Sequence, residues 1–122
     1  MAGVQKTFAL VVGLVLLIIG LWGLFIGTGN LWGAFGVNVL QSILHIIAGV
    51  FGVYVGTKGD GSGFNVSIGW IGVILGILGF IPAIGHSSGD LLNSLLNINP
   101  AITWLHLVVG VVALIVYYGA KK

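Results

Sequence analysis

Apolar residues fill this chain in four long blocks, about residues 8–27, 38–57, 66–84 and 100–119, none of which is interrupted by Asp, Glu, Lys or Arg. Each block is close to the ~20 residues that carry a helix across ~30 Å of hydrocarbon. A membrane β-barrel would alternate apolar and polar positions, whereas runs such as Leu14-Val15-Leu16-Leu17-Ile18-Ile19 do not alternate. The pattern predicts four spanning helices, an all-α integral membrane four-helix bundle, with residues 1–122 as a single transmembrane domain.

Shorter signals punctuate the blocks. Leu91, Leu92, Leu95 and Leu96 share a helical face between Asp90 and Asn97, which predicts a short helix lying on the membrane surface, with Ser88 or Asp90 as its cap. Asn99-Pro100 reads as the N-cap and first residue of the fourth span, and Pro82 bends or ends the third. The stretch Gly56-Thr57-Lys58-Gly59-Asp60-Gly61-Ser62-Gly63 reads as a flexible linker without phosphate-loop spacing. Trp32, Phe35 and Trp104 suit one aromatic belt, and Tyr54, Tyr117 and Tyr118 the other.

The blocks also repeat. Gly13, Gly20 and Gly23 of the first align with Gly69, Gly76 and Gly79 of the third, while Asn38, Ser42, Leu44-His45 and Gly49 of the second recur as Asn99, Thr103, Leu105-His106 and Gly110 of the fourth. Two tandem helical hairpins, about 7–57 and 63–118, therefore point the same way and imply a pseudo-two-fold axis along the membrane normal. Gly13, Gly20 and Gly27 are seven apart, as are Gly69 and Gly76, Gly72 and Gly79, and Gly49 and Gly56, with Gly52-x-x-x-Gly56 among them. That spacing keeps small residues on one helix face, so that backbones approach closely within a bundle or between copies.

Composition changes the picture mainly by exclusion. Only 5% of the 122 residues are charged, 58% are hydrophobic, and the mean hydropathy is +1.22, against about 25% charged in soluble domains. The net charge of +2 comes from four lysines and no arginine, and no basic cluster points to a nucleic-acid partner. Lys6, Lys58, Lys121 and Lys122 fall on one side of the four spans, so the positive-inside rule places both termini and the 56–65 loop in the cytoplasm of a multi-pass cell-membrane protein. The apolar run after Lys6 exceeds a signal-peptide core and is expected to be a retained span. With no cysteine, disulfides, thiolate metal sites and thiol chemistry are excluded.

Candidate chemistry reduces to the two intramembrane histidines. His45 and His106 lie at matched depth, roughly 10 Å below the outer edge of the hydrocarbon at 1.5 Å per residue. One reading has each imidazole hydrogen-bonding Asn38, Ser42, Asn99 or Thr103 across helices. The other has both ligating a haem or chlorin, with Gly49 and Gly110 leaving room for the macrocycle. A non-haem metal is not expected from two ligands without carboxylate or thiolate, and a proton path is expected to contain Asp, Glu or Lys within the spans. His86, Ser87, Ser88 and Asp90 are adjacent in a loop without a nucleophile elbow, so hydrolysis is not expected.

The segment Gly36-Val37-Asn38-Val39-Leu40-Gln41-Ser42-Ile43-Leu44-His45-Ile46-Ile47-Ala48-Gly49-Val50-Phe51-Gly52 resembles a family of small bacterial four-helix membrane proteins of unknown function, which carry an Asn, a Leu-His pair and a Gly in the second span. The resemblance implies a multi-pass protein without assigned chemistry. The expectation is a non-enzymatic structural or accessory component that packs through Gly13, Gly20, Gly27, Gly52, Gly56, Gly69, Gly72, Gly76 and Gly79 as a homo-oligomer or a subunit of a larger membrane complex. The alternatives are a haem- or chlorin-binding module for electron transfer or light capture, and then a small-solute or proton channel.

Overall fold

The computed structural model describes residues 2–121, so Lys122, one of the topology-setting lysines, lies outside the described residues. The elements are α1 (Ala2–Ile26), β1 (Gly29–Leu31), β2 (Phe35–Val37), α2 (Val39–Lys58), α3 (Ser62–Gly79), α4 (Leu91–Leu96) and α5 (Pro100–Lys121). Four helices, over Gly3–Ile26, Val39–Lys58, Ser62–Gly79 and Pro100–Ala120, are long and apolar enough to cross a membrane. The molecule is an all-α membrane bundle in which α1 packs along α2 and α3 along α5. Contacts between these two hairpins are sparser and run mainly through α1.

Each hairpin closes through its glycines. A Cβ on Gly13 would stand 2.6 Å from the Val53 nitrogen and 2.9 Å from the Gly49 carbonyl, and one on Gly49 would meet the Leu17 nitrogen at 2.7 Å. The second hairpin matches it: a Cβ on Gly72 would lie 2.6 Å from the His106 carbonyl, and one on Gly110 would lie 2.8 Å from the Gly69 carbonyl. Gly20 and Gly23 face Ser42, Gly52 faces Ala9, Gly56 faces Leu10, and Gly69, Gly76 and Gly79 face Leu114, Leu107 and Thr103. Backbone contact of this kind gains dispersion energy where lipid offers no hydrophobic drive. Gly27 departs from the expected seam. Its φ is +84°, nothing would meet a Cβ there, and its N–H donates to the Gly23 carbonyl at 2.8 Å, so it ends α1 instead of packing it.

Several boundaries differ from the periodicity. The helix α1 starts at Ala2 instead of residue 8, because Gln5 and Lys6 fit a helix that projects past the hydrocarbon. The expected 56–65 linker shrinks to residues 59–61, since α2 runs to Lys58 and α3 begins at Ser62. The turn is held by Asp60, whose carboxylate accepts from the Ser62 N–H and hydroxyl, each at 2.9 Å. Gly61 has φ +80°, and a Cβ there would press on Ala9 and the Gln5 carbonyl, at 2.8 Å each. The helix α3 stops at Gly79, five residues short of the expected end at 84 and just ahead of Pro82.

The loop between α1 and α2 holds an antiparallel β1–β2 pair, with Gly29 opposite Val37 and Leu31 opposite Phe35, where the apolar pattern predicts no strand. Three-residue strands are too short to show a period of two. Leu31 and Val37 are fully buried and pack with Ile19, while Ile98, Ile102 and Leu92 form the neighbouring apolar cluster under α4. Together the strand pair and α4 cap the end of the bundle opposite Lys6 and Lys58.

Candidate functional site

The two histidines meet. The His45 ring on α2 and the His106 ring on α5 lie with centroids 6.0 Å apart and planes inclined at 64°. Their helices make little backbone contact with each other, so the rings bridge a gap between the hairpins. The Nδ1 atom of each is buried without a hydrogen-bond partner. Neither imidazole takes its bond from Asn38, Ser42, Asn99 or Thr103, as the interhelical reading required.

Three of those four residues are occupied elsewhere. The Asn38 side chain accepts from the Gln41 N–H at 2.8 Å as the N-cap of α2, and its Nδ2 donates to the Leu95 carbonyl at 2.9 Å. Asn99 caps α5 by accepting from the Ile102 N–H at 3.0 Å, while its Nδ2 reaches the Ala34 carbonyl at 2.9 Å. Thr103 donates back within its own helix to the Asn99 carbonyl at 3.0 Å. Ser42 is fully buried against Gly23 with its hydroxyl unpartnered. The shared depth of the Asn-His pattern thus produces two helix starts and one ring pair.

Gly49 and Gly110 do not open a slot beside the histidines. Residues four apart on a helix differ by about 40° in direction, and here that difference turns each glycine into its own hairpin. Gly49 faces Gly13 and Leu17, and Gly110 faces Gly69, Gly72 and Val73. The space assigned to a macrocycle is filled by backbone, and the residues present do not fit that group as the spacing suggested.

Two further clusters of polar side chains join elements that are far apart in the sequence. At the end of the bundle that carries Lys6 and Lys58, Asn65 Nδ2 donates to the Gln5 carbonyl at 2.9 Å and to Gln5 Oε1 at 2.8 Å. Gln5 Nε2 in turn donates to the Tyr117 carbonyl at 2.9 Å, tying α1, α3 and α5. At the opposite end, Gln41 Nε2 bridges the Gly36 and Leu96 carbonyls at 3.1 and 2.7 Å. Asn97 Nδ2 bridges Gly29 and Val37 at 3.0 and 2.7 Å. Gly36 is needed at this crossing, since a Cβ there would press on the Asn97 carbonyl and the Asn99 side chain.

The loop around His86 is organised by backbone. Asp90 stands at the N-cap position of α4 but makes no capping bond; its carboxylate accepts instead from the Ala83 and Ser87 N–H groups, both at 3.1 Å. The His86 ring packs at 5.5 Å edge-on to Phe80, which in turn meets Trp104 edge-on at 5.0 Å. Asp60, in the opposite loop, has its carboxyl held below the usual range by the Ser62 backbone N–H and then the Ser62 hydroxyl. Among the described residues no group of three or more His, Cys, Asp or Glu is placed to hold a metal ion.

Four apolar helices folded as paired hairpins, capped at one end and joined by side-chain amides, define a small multi-pass membrane protein. Residues 6–119 match the family DUF4383, a domain of unknown function, and the chain belongs to that family. No curated protein and no solved structure matches it.

Proposed function

We propose that this protein is a non-enzymatic accessory component of the cell membrane, a compact pair of duplicated hairpins that works by associating with copies of itself or with a larger membrane complex. The observation that carries this reading is where the polar groups end. Of the buried polar residues among those described, Gln5, Gln41, Asn65 and Thr103 hydrogen-bond within the chain, and Ser42 is walled in against Gly23. The seam glycines are likewise covered by the facing helix, so association would use the exposed aliphatic and aromatic flanks. On α1 alone these include Ile18, Leu21, Trp22 and Phe25, the last 92% exposed. This revises the expected role of the glycines, which support the hairpins and leave the outer flanks to meet lipid or protein.

The equivalent contacts of Gly13 with Gly49 and of Gly72 with Gly110 support duplication. Lys6 and Lys58 lie at one end of the bundle, which supports cytoplasmic termini. Haem or chlorin ligation draws less support, because Gly49 and Gly110 are closed off by backbone. A channel draws less again: the buried polar side chains cluster at the ends and near the histidines, and the described residues between His45 and the Gln5–Asn65 pair offer none.

Native mass spectrometry of particles extracted directly with their lipid tests association. Assemblies of two or more copies, or a stoichiometric second protein, are expected. A lone monomer from membranes expressing the protein at its natural level would overturn the reading. The absence of cysteine allows clean topology mapping by impermeant thiol labelling of Ser88→Cys, expected outside, and Ser62→Cys, expected inside.

A further inference from the structure

The histidine pair has neither a hydrogen-bond partner nor a role in the association proposed above. We infer that His45 and His106 form a two-coordinate site for a soft monovalent cation, Cu(I) or its redox-inert analogue Ag(I). The separation is the first argument. With a metal–nitrogen bond of about 2 Å and a ring nitrogen about 1.1 Å from the ring centre, a linear nitrogen–metal–nitrogen unit places the two centres about 6.2 Å apart. The observed centroids are 6.0 Å apart with the planes inclined at 64°, within a few tenths of an ångström of that separation.

The second argument is the unsatisfied nitrogens. A buried imidazole nitrogen without a partner is costly in an apolar medium, and here one is left on each of two facing rings. In the neutral tautomer that carries its proton on Nε2, Nδ1 presents a lone pair free to bind a metal.

Charge and ligand softness select the ion. The only acidic residues are Asp60 and Asp90, and both lie in loops outside the spans. A divalent ion between neutral imidazoles would keep its full charge in hydrocarbon, and the cost of burying a charge rises with its square, about fourfold over a monovalent ion. Zinc would also want two more ligands. A closed-shell monovalent copper or silver ion is satisfied by two nitrogens in line, and imidazole is a suitable donor for copper. The chain has no cysteine, and its one methionine is Met1, so no softer thiolate competes within the bundle.

The test uses the full-length protein in nanodiscs, purified through a histidine-free tag, without oxygen, against a chromogenic Cu(I) chelator. The wild type is expected to withdraw a stoichiometric amount of Cu(I), and His45→Gln or His106→Gln to weaken that uptake by at least about tenfold. His86→Gln should leave it unchanged. Equal uptake by the wild type and the double variant, or equal loss in His86→Gln, would overturn the site. X-ray absorption of the Cu(I)-loaded wild type gives a reading that requires no variant. Two nitrogen neighbours and no sulfur support it, and a coordination shell of three or more overturns it. A metal-free wild type would leave the proposed association untouched, so the two ideas fail separately.

Discussion

Asn65 on α3 holds Gln5 on α1 by two hydrogen bonds from one amide nitrogen, to the backbone oxygen at 2.9 Å and to the side-chain oxygen at 2.8 Å. Both residues are buried, Asn65 fully, and Gln5 passes the connection on to the Tyr117 carbonyl. Replacement by Leu keeps the volume roughly constant and leaves the buried Gln5 Oε1 without its donor, while the Gln5 carbonyl keeps only its place in the α1 ladder. Asn65→Leu is expected to destabilise the protein by about 1–3 kcal/mol, read as a lower Tm in detergent with the same helical circular dichroism. An unchanged Tm would show that the tie contributes nothing to the mating of the hairpins.

The glycine seams predict a sharp positional contrast. Gly49→Ala and Gly110→Ala would force Cβ atoms into facing backbone and should each cost about 1–3 kcal/mol, with larger side chains costing more. Gly3, Gly63 and Gly119 meet nothing within 4 Å, and their Ala variants should stay within about 0.5 kcal/mol of the parent. Thermal unfolding of the five variants side by side checks the ordering.

Asn97 separates backbone strain from side-chain tying. It is left-handed, with φ 55°, while its amide joins the Gly29 and Val37 carbonyls. Asn97→Gly relieves the strain and removes the ties, whereas Asn97→Ala removes the ties and adds strain of about 1 kcal/mol. Both should loosen β1–β2, with Ala the worse, as seen in amide exchange at Leu31 and Val37.

Asp60 gives a pH dependence with a definite sign. Its folded-state pKa is depressed by the Ser62 N–H and hydroxyl, so the stability it adds is present above the ordinary carboxylate range and is lost as pH falls through the depressed value. Exchange of the Ser62 amide should therefore rise relative to its neighbours on acidification. In Ser62→Ala, which lacks the hydroxyl, the Asp60 titration followed by NMR should move back toward the ordinary value.

Much of this architecture is readable in the residues themselves. Apolar runs without charge leave helices as the outcome, and Pro100 behind Asn99 marks the start of α5. The seven-residue glycine spacing marks the faces that close the hairpins, although not that they close within one chain, because backbone approach has the same sequence signature inside and between molecules. The histidine pair was legible as a shared depth. Its surroundings were not, since the 40° between His45 and Gly49 separates a ring facing the other hairpin from a glycine facing its own. Gln5 and Asn65 were illegible because their acceptors are backbone and side-chain oxygens about 60 and 112 residues away, and no spacing rule connects them.

Fastening at the two rims has a mechanical corollary. The amides that join the halves sit near the bundle's extremities, whereas α2 and α5 barely touch where the imidazoles face one another. Between α2 and α5 at that level the halves meet by ring contact and not by a hydrogen bond. The two halves are thus pinned by directional bonds at their rims, and the histidine storey between α2 and α5 is the level that lacks such a fastening.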